Sequence, residues 1–171
     1  MRYEGILMKK IFIVTLIIVT FLFVTNQEKI FVTAEVDGVE KIVTTVDAKK
    51  NLPLEINFTH SVQKTPVIEE LEFDGEKFIL RRTKYKSHGV GLPFMESDGN
   101  FHEEGGYFIM DDMNRAIENL SLRTGVGTNL TIKLDGEEFK LYEKFPTGTK
   151  IDIYPSSSLK KFFIAIIGRN F

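Results

Sequence analysis

Val67-Ile68-Glu69-Glu70-Leu71-Glu72-Phe73-Asp74-Gly75-Glu76-Lys77-Phe78-Ile79-Leu80-Arg81-Arg82-Thr83-Lys84-Tyr85 consists of two apolar-rich runs joined through Asp-Gly. β-Branched and aromatic side chains suit a pleated, half-buried surface, and Asp-Gly readily takes the positive φ angles of a hairpin turn. The stretch therefore predicts a β-hairpin with a I′-type turn at Asp74-Gly75. The same pattern recurs on both sides. Leu52 to Thr59 alternates Leu54, Ile56 and Phe58 on one face, and Lys29 to Asp37 joins Val39 to Val46 through Asp37-Gly38. Further on, Asn119 to Thr124, Asn129 to Leu134, Asp135-Gly136, Glu138 to Glu143 and Thr149 to Tyr154 continue the theme. Many short strands with regular turns bury a shared face only by packing sheet on sheet or by closing. The expected fold class is all-β, an antiparallel β-sandwich or partly closed barrel with an N-terminal membrane helix. Asp111 to Ile117 could form one helical turn, and Phe94 to Gly106 reads as a solvated loop or β-excursion. The tail Leu159 to Ile167 reads as a terminal strand or a helix end docked on the core.

Lys9-Lys10 precede Ile11 to Val24, a run without charge in which Thr15 and Thr20 are the polar residues. At 1.5 Å per residue the run reaches about 21 Å, against a hydrocarbon core of roughly 30 Å, which is the length of a signal-peptide apolar region. No small-residue cleavage site follows promptly, since Val24-Thr25-Asn26-Gln27 is a poor one. Residues 1–27 are thus expected to be a signal anchor or signal peptide, meeting the membrane through residues 11–24, and residues 28–171 a single β domain. Arg2, Lys9 and Lys10 lie before the run, whereas Glu28 and Lys29 after it cancel. That bias sets the β domain outside the cytoplasm at the cell membrane, or secreted if the leader is cleaved.

With 171 residues, 43% of them hydrophobic, the chain can bury one core of ordinary size. Beyond residue 24 there remain 19 basic and 23 acidic groups. A mildly acidic body argues against nucleic acid as a partner, because phosphate binding draws on clustered Lys and Arg. The chain has no cysteine, which excludes disulfides, thiolate metal sites and cysteine catalysis.

Two polar segments carry the candidate chemistry: Phe58 to Glu70, and Ser87-His88-Gly89-Val90-Gly91-Leu92-Pro93. Consecutive residues of a strand point to opposite faces, so His60 and Ser61 are badly placed as base and nucleophile, and no G-x-S-x-G elbow occurs. A metal site built from His60, His88, His102 and Glu69 lacks any short ligand spacing. His60, Ser61, Thr65 and Glu69 read better as one polar cluster. Pro66 fixes its own φ and biases Thr65 toward extended geometry, which turns the chain between Ser61 and Thr65 and returns Glu69 toward the strand carrying His60. Such a cluster either pins a corner of the fold or offers polar groups to a small anionic or zwitterionic ligand. Gly89 and Gly91, closed by Pro93, suit a bulge or an anion-holding nest. No catalytic residue, metal or cofactor is assigned.

Thr59-His60-Ser61-Val62, Thr65-Pro66-Val67-Ile68-Glu69, Thr83 to Tyr85, Gly89-Val90-Gly91-Leu92-Pro93 and Met113-Asn114 to Arg123 resemble the bacterial family filed as domain of unknown function 1850. The matching positions are His60, Ser61, Thr65, Pro66, Glu69, Tyr85, Gly89, Gly91 and Pro93. The resemblance implies an exported or membrane-anchored small β-protein without an established activity. It also implies an encoded neighbour, a TRAP-type solute transporter of the TAXI subtype. His88 stands where the family leads one to expect a bulky apolar or aromatic residue. The function expected is that of a membrane-tethered accessory or binding module, not an enzyme. Its alternatives are a domain for a small carboxylate or amino acid and, more remotely, a metal-dependent hydrolase.

Overall fold

The computed structural model describes residues 2–25, 27–87, 92–93, 95 and 97–157. The expected tail segment Leu159 to Ile167 lies outside them. The chain divides into two compact units, one holding the N-terminal segment up to Lys29 and the other Ile30–Pro155.

In the first unit, α1 runs over Arg2–Thr25. Ile11, Phe12, Ile13, Val14, Leu16, Ile17, Ile18, Val19 and Phe21 are each more than half exposed on it. Among the described residues no helix is long and apolar enough to cross a membrane. The expected membrane helix is therefore present as a helix but falls short as a span. Lys9 and Lys10 interrupt its apolar surface and leave a short uncharged run.

The second unit is mostly antiparallel strand with little helix. β1 (Glu28–Val36) turns at Asp37-Gly38 into β2 (Val39–Asp47), and β3 (Leu52–Thr59), β4 (Pro66–Phe73) and β5 (Phe78–Tyr85) follow as a meander. Next come β6 (Asn100–Glu104), β7 (Tyr107–Asp111), β8 (Arg115–Ile117) and β9 (Leu120–Arg123). β10 (Thr131–Leu134), β11 (Glu137–Lys140), the single-turn α2 (Leu141–Lys144) and β12 (Lys150–Ser157) complete the order. One sheet has the order β2-β1-β12-β9. The other runs β11-β10-β3-β4-β5-β7-β6, with β8 also paired to β5. The ends of the larger sheet do not pair, so no barrel closes.

The sheets bury one core because alternation turns an apolar face of each toward it. Ile30, Val32, Ala34, Ile151 and Ile153 enter from the smaller sheet; Leu54, Ile56, Leu71, Phe73, Phe78, Ile132 and Leu134 enter from the larger. Two of the three Asp-Gly turns behave as expected: both residues have positive φ at Asp37-Gly38 (55° and 72°) and Asp135-Gly136 (52° and 82°). The third does not. Phe73 pairs with Phe78, leaving a four-residue loop in which the Asp74 carboxylate accepts from the backbone N–H of Glu76 (2.8 Å) and Lys77 (2.9 Å). Those bonds hold Asp74 below the usual carboxylate range.

One further segment resolves between two expected forms, and two differ from expectation. Of the two forms expected for Phe94 to Gly106, a solvated loop or a β-excursion, Asn100–Glu104 takes the second as edge strand β6, every residue of which is exposed. The expected helical turn at Asp111 to Ile117 is instead the end of β7 followed by β8. The expected strand Glu138 to Glu143 bends into α2 after Lys140, since Leu141 buries itself fully against the core. The last two were misread because the pattern there is set by a tertiary partner and not by local alternation.

Ile56 is fully buried, whereas Ile42 on edge strand β2 is 60% exposed. Ile56→Ala should cost about 2–5 kcal/mol in a denaturant titration of the full chain, and Ile42→Ala under about 0.5 kcal/mol. Equal costs would contradict the assignment of faces.

Candidate functional site

The register of the larger sheet sets Ile132, Ile56, Glu69, Thr83, Met110 and Phe101 opposite one another in a single cross-strand row. Ile132, Ile56, Thr83 and Met110 are fully buried. Glu69 is the one carboxylate in this row. Among the described residues it has no hydrogen bond or ion pair. Burial pushes its pKa up, and the guanidinium of Arg115 opposes that shift in part.

Arg115 reaches this neighbourhood through an irregularity. β7 covers Thr83–Tyr85 of one edge of β5, and β8 covers Phe78–Leu80 of the same edge. The chain crosses the gap as Asp112-Met113-Asn114, with Asp112 at φ 54°. β5 carries an extra residue at this level, because Leu71 pairs with Leu80 and Glu70 with Arg82, so that Arg81 bulges. The Met113 N–H donates to the Arg81 carbonyl (3.0 Å), and the Thr83 hydroxyl contacts the Met113 sulfur (3.5 Å). Bulge and break together leave two clefts.

The first, about 400 Å³, is lined by Glu70, Arg81, Arg82, Asp111, Asp112, Met113 and Asn114. Its charges satisfy one another. Arg82 donates to Asp111 and, at 3.4 Å, to Glu70; Lys84 lies 2.5 Å from Glu70; His102 Nε2 lies 3.6 Å from Asp111. Arg81 donates to Asn114 (3.0 Å) and Glu72 (3.3 Å).

The second cleft, about 430 Å³, is lined by Ser97, Asp98, Gly99, Asn100, Asp112, Met113, Asn114 and Arg115. Asn100 donates to Asp112 (2.6 Å), and the Asp98 carboxylate accepts from the Met95 N–H (3.3 Å). Arg115 has no hydrogen bond or ion pair among the described residues. Gly99 is obligatory here: a Cβ would meet the Asp111 carbonyl oxygen at 2.2 Å.

The expected cluster is brought together only in part. His60 and Thr65 close the β3–β4 hairpin, the His60 N–H donating to the Thr65 carbonyl (2.8 Å) and the Lys64 N–H to the His60 carbonyl (2.9 Å). The His60 imidazole caps its own turn, Nδ1 accepting from the N–H of Val62 (3.2 Å) and Gln63 (3.1 Å). Ser61 is exposed. Glu69 pairs with Ile56, four residues before His60, a separation of about 13 Å along the strand. The two groups therefore share a strand pair without meeting. The Thr65 hydroxyl is buried and lacks a partner among the described residues.

The two polar segments do meet, Ser87 Oγ lying 3.4 Å from the Gln63 side-chain carbonyl. Tyr85, fully buried, donates its hydroxyl to the Pro93 carbonyl (2.5 Å) and tethers the loop after β5. Burial and the nearby Asp98 charge push its phenol up. Gly89, Gly91 and His88 lie outside the described residues. Among the described residues no group of three His, Asp or Glu could hold a metal.

Sequence reasoning singled out Glu69 but missed Arg115, Asp98 and Asn114. One local signal was available: Asp112-Met113-Asn114 interrupts two β-prone runs with residues that tolerate positive φ.

Two outcomes follow from these placements. His60→Ala should cost about 0.5–2 kcal/mol, the range for losing a turn or helix cap, and His60→Asp should restore most of it by offering an acceptor to the same N–H groups. Full loss in both variants would contradict the capping role. For Glu69, a raised folded-state pKa means that the folded state binds the proton more tightly. The stability it contributes is complete below 4.5 and is lost as pH rises through the raised value. Glu69→Gln should raise the denaturation midpoint at pH 7 and leave it nearly unchanged at pH 4; a lower midpoint at pH 7 would show that the carboxylate is paired.

No curated protein and no solved structure matches the chain. A family model, described as Domain of unknown function (DUF1850), matches residues 54–141, from β3 to the start of α2. This segment contains His60, Glu69, the strand break and Arg115, and on that match the chain belongs to the DUF1850 family.

Proposed function

We propose that this chain is a membrane-tethered β domain facing outside the cytoplasm, a non-enzymatic accessory or binding module for a TRAP-type solute transporter. The observation that carries the tether is the surface of α1. Nine large apolar side chains from Ile11 to Phe21 are each more than half exposed. Within the same run the Thr15 and Thr20 hydroxyls donate to the carbonyls of Ile11 (2.9 Å) and Leu16 (2.8 Å), so even its polar groups are satisfied internally. Water disfavours such a surface, whereas lipid accepts it. Snorkelling of Lys9 and Lys10 and local thinning of the bilayer accommodate the short run. The positive charges before it keep that end in the cytoplasm. The transporter association rests on family resemblance.

A second reading, a domain for small carboxylates or amino acids, is favoured by the open guanidinium of Arg115 at a cleft of about 430 Å³, a size suited to a small metabolite.

The tether is checked by expressing the full chain and washing membranes at alkaline pH. The chain should stay with the membrane fraction, and replacing Ile13, Ile17 and Phe21 by Asp should release it. A wild-type chain found in the wash would overturn the tether.

A further inference from the structure

We propose that the cleft at the strand break binds a small amino carboxylate, with Arg115 holding the ligand carboxylate and the surrounding acids selecting its ammonium. This deepens the small-ligand reading above and rests on it.

Opposite charges that close onto each other have no capacity left for a third group, as the first cleft illustrates: Arg82, Lys84, Glu70 and Asp111 consume one another. The second cleft is built differently. Its one cation, Arg115, lies within electrostatic reach of Glu69 and forms no ion pair with it, nor with Asp98 or Asp112, among the described residues. A guanidinium offers several N–H donors in a fixed plane, and a carboxylate matches them with two oxygens.

The remaining charge decides what else the ligand carries. Asp98 and Asp112 line the cleft, and Glu69, within electrostatic reach of Arg115, stands opposite Thr83, whose hydroxyl touches the Met113 sulfur of the lining. A second ligand carboxylate would face these acids and be repelled. An ammonium would be drawn to them, with the side-chain amides of Asn100 and Asn114 beside it. The lining therefore prefers a zwitterion over a dicarboxylate and over a simple amine. The cleft also has a fixed frame, because the glycine at 99 and the Met113 to Arg81 backbone bond set the positions of both of its walls.

The test uses the full chain in detergent micelles, its thermal midpoint followed with L-alanine, succinate and ethylamine in turn. L-Alanine should raise the midpoint saturably, with succinate and ethylamine at least about tenfold weaker. Arg115→Ala should abolish the L-alanine shift, measured from that variant's own ligand-free midpoint, and Arg115→Lys should keep part of it. Succinate equal to or better than L-alanine would overturn the zwitterion preference. An L-alanine shift that survives Arg115→Ala would overturn the site while leaving the small-ligand reading intact. No shift with any of the three probes would overturn the site and the small-ligand reading together. Retention of the chain in washed membranes is independent of all these outcomes.

Discussion

The register of β4 between β3 and β5 is the constraint on which the rest of the structure depends. Side chains alternate along a strand, so a slip of one residue would send Val67, Leu71 and Phe73 to solvent and break the shared core. Val67 and Phe73 are fully buried, which fixes the choice. Once fixed, it carries Glu69 inward too. The carboxylate takes a place in an apolar row that hydrophobic burial alone would have given to an aliphatic residue. Burial of the row must therefore outweigh the desolvation of one acid.

The same register explains why the facing edge is broken. Arg81 is one residue too many for β4, and the strand opposite cannot run unbroken from Tyr107 to Ile117 alongside a bulge. It splits into β7 and β8, which run in the same direction along β5, and Asp112 takes a left-handed backbone in the gap between them. Irregularity and polarity coincide there. The sheet interior is regular and apolar, whereas the bulge collects Arg81, Arg82, Asp111, Asp112, Asn114 and Arg115. Ion pairing consumes the charges on one side of the break and leaves Arg115 available on the other. That asymmetry is the physical basis for treating the break as a site.

Most strands of the domain were legible because their pattern is local. Asp37-Gly38 and Asp135-Gly136 demand positive φ and supply residues that accept it, and Leu54, Ile56 and Phe58 alternate plainly. β6 was legible only as one of two alternatives, since Asn100, His102, Glu103 and Glu104 carry no apolar alternation, and it becomes a strand by pairing with β7. Glu69 does return on the strand beside β3, whereas His60 falls in the hairpin turn just past Thr59. Their separation could not be read, because it depends on how many ladder steps the hairpin closes before Glu69 is reached. Arg115 was hidden for a deeper reason: its proximity to Glu69 spans β5 and exists only after the sheet forms.

The most direct measurement of the central claim is a cross-strand disulfide between outward-facing partners of β4 and β5, in a chain that has no cysteine of its own. The register opposes Ile68 to Lys84. Directly opposed residues stand at about the Cβ separation that a disulfide requires. The double variant Ile68→Cys, Lys84→Cys should oxidise readily, and pairing Ile68→Cys with Thr83→Cys or Tyr85→Cys should not. Oxidation of either alternative pair in place of the first would mean a slipped register, with Glu69 facing water and no site at the strand break.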